Sequence, residues 1–239
     1  MKIMNSIIVP AYNEEKRAMG FIPLLLDYAH LRIPNSEIII VDDGSKDNTR
    51  KILSELIKSK KAQSFARVIG YTQNKGKGNA VMFGVHAARG DKVVFIDADG
   101  SIPPDQIPSM LEKLDEYDVV SGDRISKQSK IRKTFLRNFF SFGFNFFVSV
   151  LFQYSYRDNL CGFKGFKKNI AQDLFYDLKD KRWVFDVELF FKIKKRGYSL
   201  YFLPIVWKHV GGSRINLFKE PFLWFLRLIK LRYELRNYR

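Results

Sequence analysis

The residues best suited to chemistry sit in three short acidic turns. Asp97-Ala98-Asp99 follows the apolar run at 92–97 (KVVFID), and Gly100 lets the chain bend so that two carboxylates spaced two apart face one point. Hard carboxylate oxygens with no His or Cys beside them select Mg2+ or Mn2+, which bridge phosphate oxygens. A capped turn ahead of Pro103-Pro104 is the other reading of the same residues. Asp42-Asp43-Gly44-Ser45 ends a second apolar run, and Tyr12-Asn13-Glu14 follows a third. The stretch from Asn74 to Ala80 has the glycines of a phosphate cradle. However, Lys75 stands where a Walker motif begun at Gly70 needs its second Gly, and Val81 where a dinucleotide fingerprint needs its third. Direct contact with a diphosphate and a polar loop that merely opens a helix both remain open for it.

Those turns need a scaffold, and the chain supplies one. Runs rich in Val and Ile at 6–10, 37–42, 67–71, 92–97 and 118–121 have the pattern of buried strands. Helical stretches near 14–31, 47–61, 77–89 and 105–116 alternate with them, one opened by Asp47. Such alternation predicts a parallel α/β sheet, whose ligands gather beyond the strand C-termini, where all three acidic turns would lie. A length of 239 residues suits one large domain, read here as 1–216 with a C-terminal segment 217–239. The single cysteine, Cys161, excludes disulfides and multi-cysteine zinc sites; it reads as packing beside Gly162. His30, His86 and His209 lie far apart. Met1-Lys2 leads straight into a β-rich segment, so no signal peptide is expected.

Charge is distributed unevenly. Residues 1–120 hold 16 basic and 16 acidic side chains, so the entire net charge of +16 belongs to the second half. Eight of the 22 Phe fall between Phe135 and Phe152, beside Lys130, Arg132, Lys133 and Arg137. Basic residues next to crowded phenylalanines point to an anionic membrane surface before nucleic acid. Within 131–156, a polar stripe of Thr134, Asn138, Ser141, Asn145 and Ser149 at helical spacing argues for an interfacial helix, with a buried core helix as the other reading. Residues 139–156 carry no charge, but Ser, Gly, Asn and Gln interrupt them too often for a span of about 20 apolar residues. The run from Phe222 to Tyr238 repeats the chemistry with Trp224, Arg227, Lys230, Arg232 and Arg236. Without disulfides, the cytoplasmic face of a membrane is the expected location. A nucleic-acid binder would use the basic half but leave three acidic strand ends unexplained, since carboxylates repel phosphate.

Taken in order, Pro10-Ala11-Tyr12-Asn13-Glu14-Glu15, Val41-Asp42-Asp43-Gly44-Ser45 and Asp97-Ala98-Asp99 resemble the family-2 glycosyltransferases of the GT-A fold. Ser121-Gly122-Asp123-Arg124, Cys161-Gly162-Phe163-Lys164 and the segment from Arg182 to Leu189 are similar to the branch acting on polyprenyl phosphates. Dolichyl-phosphate β-glucosyltransferases come first within it, dolichyl-phosphate mannosyltransferases next.

The resemblance implies a Rossmann-like, mostly parallel sheet and inverting transfer of a hexose to a polyprenyl (dolichyl) phosphate. UDP-glucose is the first choice of donor, and a GDP-sugar follows. It places Pro10, Tyr12, Glu14, Val41, Asp43 and Lys77 with Ala98 at the donor, Asp97 and Asp99 at the metal, and Arg124, Lys208 and Arg214 at the acceptor phosphate. Lys208 and Arg214 exchange the residue types of the mannosyltransferase pattern, and Ser101 replaces the polar third ligand usual there. Asp186 and Glu188 share a predicted helix, 184–196, but face different sides of it. Either would serve as the base a hydroxyl acceptor needs, whereas a phosphate acceptor needs none; Glu188 also has Lys192 at i+4.

Overall fold

The computed structural model describes residues 4–131, 135–154, 156, 158–208, 210 and 220–238. β1 (Asn5–Ala11), β2 (Ser36–Asp43), β3 (Ala66–Tyr71), β4 (Lys92–Ile96) and β5 (Val119–Asp123) stand where the five apolar runs predict them. Between them lie α1 (Ala18–Arg32), α2 (Thr49–Ser59), α3 (Lys77–Ala87) and α4 (Ile107–Glu116). The second half contributes β6 (Lys130–Ile131), α5 (Phe135–Phe152), β7 (Phe163–Lys167), α6 (Lys168–Tyr176) and α7 (Phe185–Arg196). It closes with β8 (Leu200–Pro204), β9 (Val206–Trp207) and α8 (Glu220–Glu234).

Seven strands make one sheet in the order β3-β2-β1-β4-β7-β5-β8, and β6 pairs with β9 outside it. Alternating side chains feed two cores: Ile7, Val9 and Ile38 pack with Leu25 and Leu53 of α1 and α2, while Ile8, Ile39 and Phe95 pack with Val81 and Phe190 of α3 and α7. Burial on both faces is why the strands read as unbroken apolar runs. The sheet is not wholly parallel, because β7 runs against both β4 and β5. After β5 the chain passes through β6 and α5 and re-enters at Gly162, whose carbonyl meets the Asp97 N–H at 3.0 Å. Re-entry from the edge it left forces the opposite direction.

β1 lies at the reversal of strand order. Its pairing with β4 stops at Ile8↔Phe95, whereas pairing with β2 continues to Ala11↔Asp42. Pro10, lacking an N–H, stands beyond the last β1–β4 pair, where no ladder bond is required of it. The crevice this opens above β1 and β4 is where a doubly wound sheet holds its ligands.

α5 has a buried side and an exposed one. Phe144, Val148 and Phe152 are buried in one cluster with Leu228 and Leu231 of α8 and with Leu235 just beyond it. Edge-to-face ring pairs, Phe144–Trp224 and Phe147–Phe225, and an Arg232 Nε bond to the Leu151 carbonyl at 3.0 Å tie the helices. Phe146, 64% exposed, and Val150, Leu226, Ile229 and Tyr233 face outward. The polar stripe turns partly inward, with Asn145 Oδ1 accepting from Asn159 Nδ2 at 2.7 Å. Among the described residues no helix is long and apolar enough to cross a membrane.

At the opposite edge of the sheet Glu37, 1% exposed, ties three strands. It accepts from Ser6 Oγ at 2.7 Å and the Arg89 N–H at 2.6 Å, and it pairs with the Arg67 and Arg89 guanidinium groups. Burial opposes its charge, but the bonds from Arg89, Ser6 and Arg67 outweigh that and hold the carboxyl below its ordinary 4.5. A depressed carboxylate stabilises the fold above its unfolded pKa, and that contribution fades as pH falls through the folded value. Glu37→Gln is expected to cost about 3 kcal/mol at neutral pH. In denaturant titrations the gap between variant and wild type should shrink as pH drops below 4.5.

Candidate active site

Asp43 organises the loop after β3. Buried at the end of β2, it accepts from Tyr71 Oη at 2.7 Å, Asn74 Nδ2 at 2.8 Å, and the backbone N–H groups of Lys75 and Gly76 at 2.9 and 3.0 Å. Burial, aided by the Asp43 charge, pushes the Tyr71 phenol up, so Tyr71 stays a donor. Asp42 points the other way on the pleat and caps Ser45 at 3.1 Å. Gly76 has φ +102, and a Cβ there would lie 2.5 Å from the Lys181 carbonyl oxygen, so no larger residue fits. The Gly78 and Asn79 N–H groups donate to the Arg182 and Lys181 carbonyls at 3.1 and 2.9 Å. A phosphate cradle is therefore the wrong reading of the loop as it stands: its donors at 75, 76, 78 and 79 are spent within the protein. What the loop delivers is Lys77.

Lys77 Nζ lies 2.6 Å from Asp97 Oδ1. Burial works against the Lys77 charge, but Asp97, Asp186 and Asp99 hold the ammonium above its ordinary pKa. The Asp97 carboxyl is raised, first by burial and then by Asp99 and Asp186, with Lys77 opposing. Asp99 Oδ1 caps the turn by accepting the Ser101 N–H at 2.9 Å. Capped turn and acidic pair are therefore the same object. Asp186 sits in the first turn of α7, 2.7 Å from Lys164 Nζ, and Lys164 is 0% exposed between the Phe95 and Phe190 rings. A Cβ at Gly162 would fall 1.9 Å from Asp97 Oδ2 and so would displace that carboxylate.

On the β5 side, Arg124 grips Asp158 through Nε at 2.8 Å and Nη2 at 2.6 Å, and the Asp158 carboxylate also takes the Arg124 N–H at 2.8 Å. Burial opposes both charges, but each holds the other ionised. The fork leaves Nη1 of Arg124 over for a further anion. Burial pushes the Cys161 thiol up to about 12, in keeping with a packing role. Lys208 arrives from far along the chain, its N–H donating to the Ser101 carbonyl at 2.8 Å.

Other expected residues are placed differently. Val41 is fully buried in the core beneath α3, because the strand pleat turns it inward; its side chain does not reach a donor. Glu188 is 0% exposed on the far side of α7, where it pairs with Lys192 at 2.8 Å and accepts the Lys179 and Asp180 N–H groups, so it is not presented as a base. Glu14 is buried and paired with Arg17, and its N–H donates to Thr49 Oγ1 at 2.8 Å, which joins the first acidic turn to the second. Pro10 and Tyr12 are half-buried beside the crevice, and Ala98 is buried under the acidic pair. Arg214 and His209 lie outside the described residues. Asp158 and Lys164 went unassigned in the sequence. A lysine between Phe163 and Phe166 in a buried strand is a signal for an internal ion pair; Asp158 offers none.

Three cations, Lys77, Lys164 and Arg124, thus face four carboxylates, Asp97, Asp99, Asp158 and Asp186, at the C-terminal edge of the sheet. The model of glycosyl transferase family 2 matches residues 6–175. The chain belongs to that family. It is 32% identical to the dolichyl-phosphate beta-glucosyltransferase of Dictyostelium discoideum over 96% of this chain and 74% of the relative. Identity to the Homo sapiens protein of the same name is 32%, over 95% and 75%. Among solved structures, glucosyl-3-phosphoglycerate synthase of Mycobacterium tuberculosis, in complex with Mn2+, UDP and glucosyl-3-phosphoglycerate, superposes with a TM-score of 0.68 at 20% identity, covering 96% of this chain and 79% of that one. That likeness establishes a GT-A-like fold: a mixed, mostly parallel sheet flanked by helices.

A family-2 glycosyltransferase built this way should tolerate no side chain at position 162. Gly162→Ala is expected to keep its circular dichroism and most of its thermal stability while kcat/KM falls by about a hundredfold, since an ångström of misplacement at a reacting centre costs that much. Unchanged turnover in the variant would remove Asp97 from the site.

Proposed function

We propose that this glycosyltransferase moves glucose from UDP-glucose to dolichyl phosphate at a membrane surface, with inversion at C1 to a β-linked product. The relatives named for that reaction support it over nearly the whole chain. The observation that carries it is the Lys208 N–H bond to the Ser101 carbonyl, which brings this lysine against the acidic donor turn.

The donor set suits a divalent cation. Among the described residues no three His, Cys, Asp or Glu close around one point, so an ion on Asp97 and Asp99 would complete its shell with water and donor phosphate oxygens, as Mg2+ or Mn2+ does. When bound, the ion would neutralise the departing diphosphate. The chain's own residues do the rest. Lys77, released from Asp97, is placed for a donor phosphate. Pro10, Tyr12, Glu14 and Asp43 shape the nucleoside side of the crevice. Arg124 presents its free edge to the acceptor phosphate, joined by Lys208 and Arg214. That phosphate is already an anion at neutral pH, so no side chain need take a proton. Asp186, 2.7 Å from Lys164 and 2% exposed, fits a fixed counter-charge better than a base, which favours phosphate over hydroxyl as acceptor.

Purified protein with Mg2+ or Mn2+, dolichyl phosphate and a panel of UDP- and GDP-sugars is expected to make glucosyl phosphodolichol from UDP-glucose, and Asp99→Asn to make none. Transfer from GDP-mannose instead would overturn the donor, and full activity in excess chelator the metal. Because Lys77 covers a carboxylate oxygen the ion would use, Lys77→Met should bind Mn2+ without donor about tenfold more tightly than wild type. It should also bind UDP-glucose less tightly. Equal Mn2+ affinities in calorimetry would show that the ion pair does not guard the site.

A further inference from the structure

A second basic site lies away from the crevice, between α8 and the loop that enters α7. Its cavity, about 240 Å³, is walled by Lys179, Arg182, Arg227 and Lys230 with Asp180 and Glu234. The acidic members neutralise it only in part, although Lys179 is also paired with Asp177 at 2.6 Å. Asp180 spends Oδ1 on the Arg182 and Val184 N–H groups at 2.8 and 3.1 Å, and burial, with Arg227 opposing, pushes its carboxyl up. Glu234 stands 3.7 Å from Lys230 in a loose, exposed pair. Nη1 of Arg227 is buried and has no hydrogen-bond partner. A buried guanidinium nitrogen with nothing to donate to carries a desolvation cost that an acceptor would remove.

We propose that this cavity binds a phosphate ester, with Arg227 and Arg182 as its fork donors, and that the ester belongs to the headgroup of an anionic membrane lipid. The volume is below that of common cofactor pockets, which suits a headgroup better than a nucleotide. Arg227 and Lys230 follow Leu226 and Ile229 by one residue along α8, so the cavity mouth borders the exposed apolar stripe. A helix with its apolar side in a bilayer holds its basic flank at the level of the phosphates. The same loop touches the donor side, since the Lys181 and Arg182 carbonyls cap the start of α3. The lipid assignment rests on the proposed membrane function; the phosphate chemistry does not.

Co-sedimentation of the full chain with phosphatidylcholine vesicles, with and without a minor fraction of phosphatidylglycerol, tests it. Wild type should prefer the anionic vesicles. Arg227→Gln with Lys230→Gln should lose at least about tenfold of that preference. Lys51→Gln with Lys58→Gln, a matched charge change on α2 across the sheet, should lose far less. Equal losses would mean diffuse attraction and overturn the site. Should the first double variant misfold, Arg227→Lys, which keeps the charge but not the fork, must still weaken the preference. Calorimetry with glycerol 3-phosphate separates the sources. Saturable binding lost in Arg227→Lys, without any vesicle preference in wild type, would assign a soluble phosphate ester and sink only the membrane reading. No glycerol phosphate binding together with no loss of vesicle preference in the variants would end the proposal.

Discussion

Carboxylates crowded at one sheet edge must be countered by cations that arrive from elsewhere. Asp97, Asp99 and Asp186 feel one another's charge because β4 ends near where α7 begins, and buried like charges are costly unless paired. Lys77 comes from the start of α3, Lys164 from β7, and Arg124, with its partner Asp158, from the segments flanking α5. Each needs its own support. Lys77 depends on the loop that Asp43 holds, and that loop leans on residues 181 and 182. The candidate active site is therefore a set of interlocked ion pairs, and the fold around it reads as the means of delivering them.

This accounts for the antiparallel strand. Had β7 entered in the direction of its neighbours, Gly162 would not meet Asp97 and Lys164 would not lie under Asp186. By returning through the edge it left, the chain places Asp158, Cys161, Gly162 and Lys164 within a few residues of the acidic turn. The pairing also shapes the chemistry. Three cations against four carboxylates leave the cluster with a surplus of carboxylate.

Both halves of the chain contribute to the crevice. The balanced first half supplies Lys77, Asp97 and Asp99, and the basic second half adds Arg124, Asp158, Lys164 and Asp186 as well as α5 and α8. Those helices satisfy two demands at once: Phe144, Val148, Leu228 and Leu231 close the core, while Phe146, Val150, Leu226 and Ile229 remain outside.

Much of this was legible in residue order. Period and composition located five strands and four helices, and Asp, Gly and Ser after the apolar runs located the turns at the strand ends, because a both-faces-buried strand and a tight turn are local properties. Lys192 at i+4 from Glu188 likewise foretold their pair. What stayed hidden depends on contacts between distant segments. The glycine-rich loop has the composition of a phosphate cradle, but its donors are consumed by Asp43 and by carbonyls about a hundred residues away. Val41 belongs to a motif yet points into the core, since the pleat, not the motif, sets direction. The direction of β7, the Arg124–Asp158 fork and the meeting of Lys208 with Ser101 have no local signal. Residue types fix which charges a chain owns, whereas burial makes pairing obligatory and only packing selects the partner.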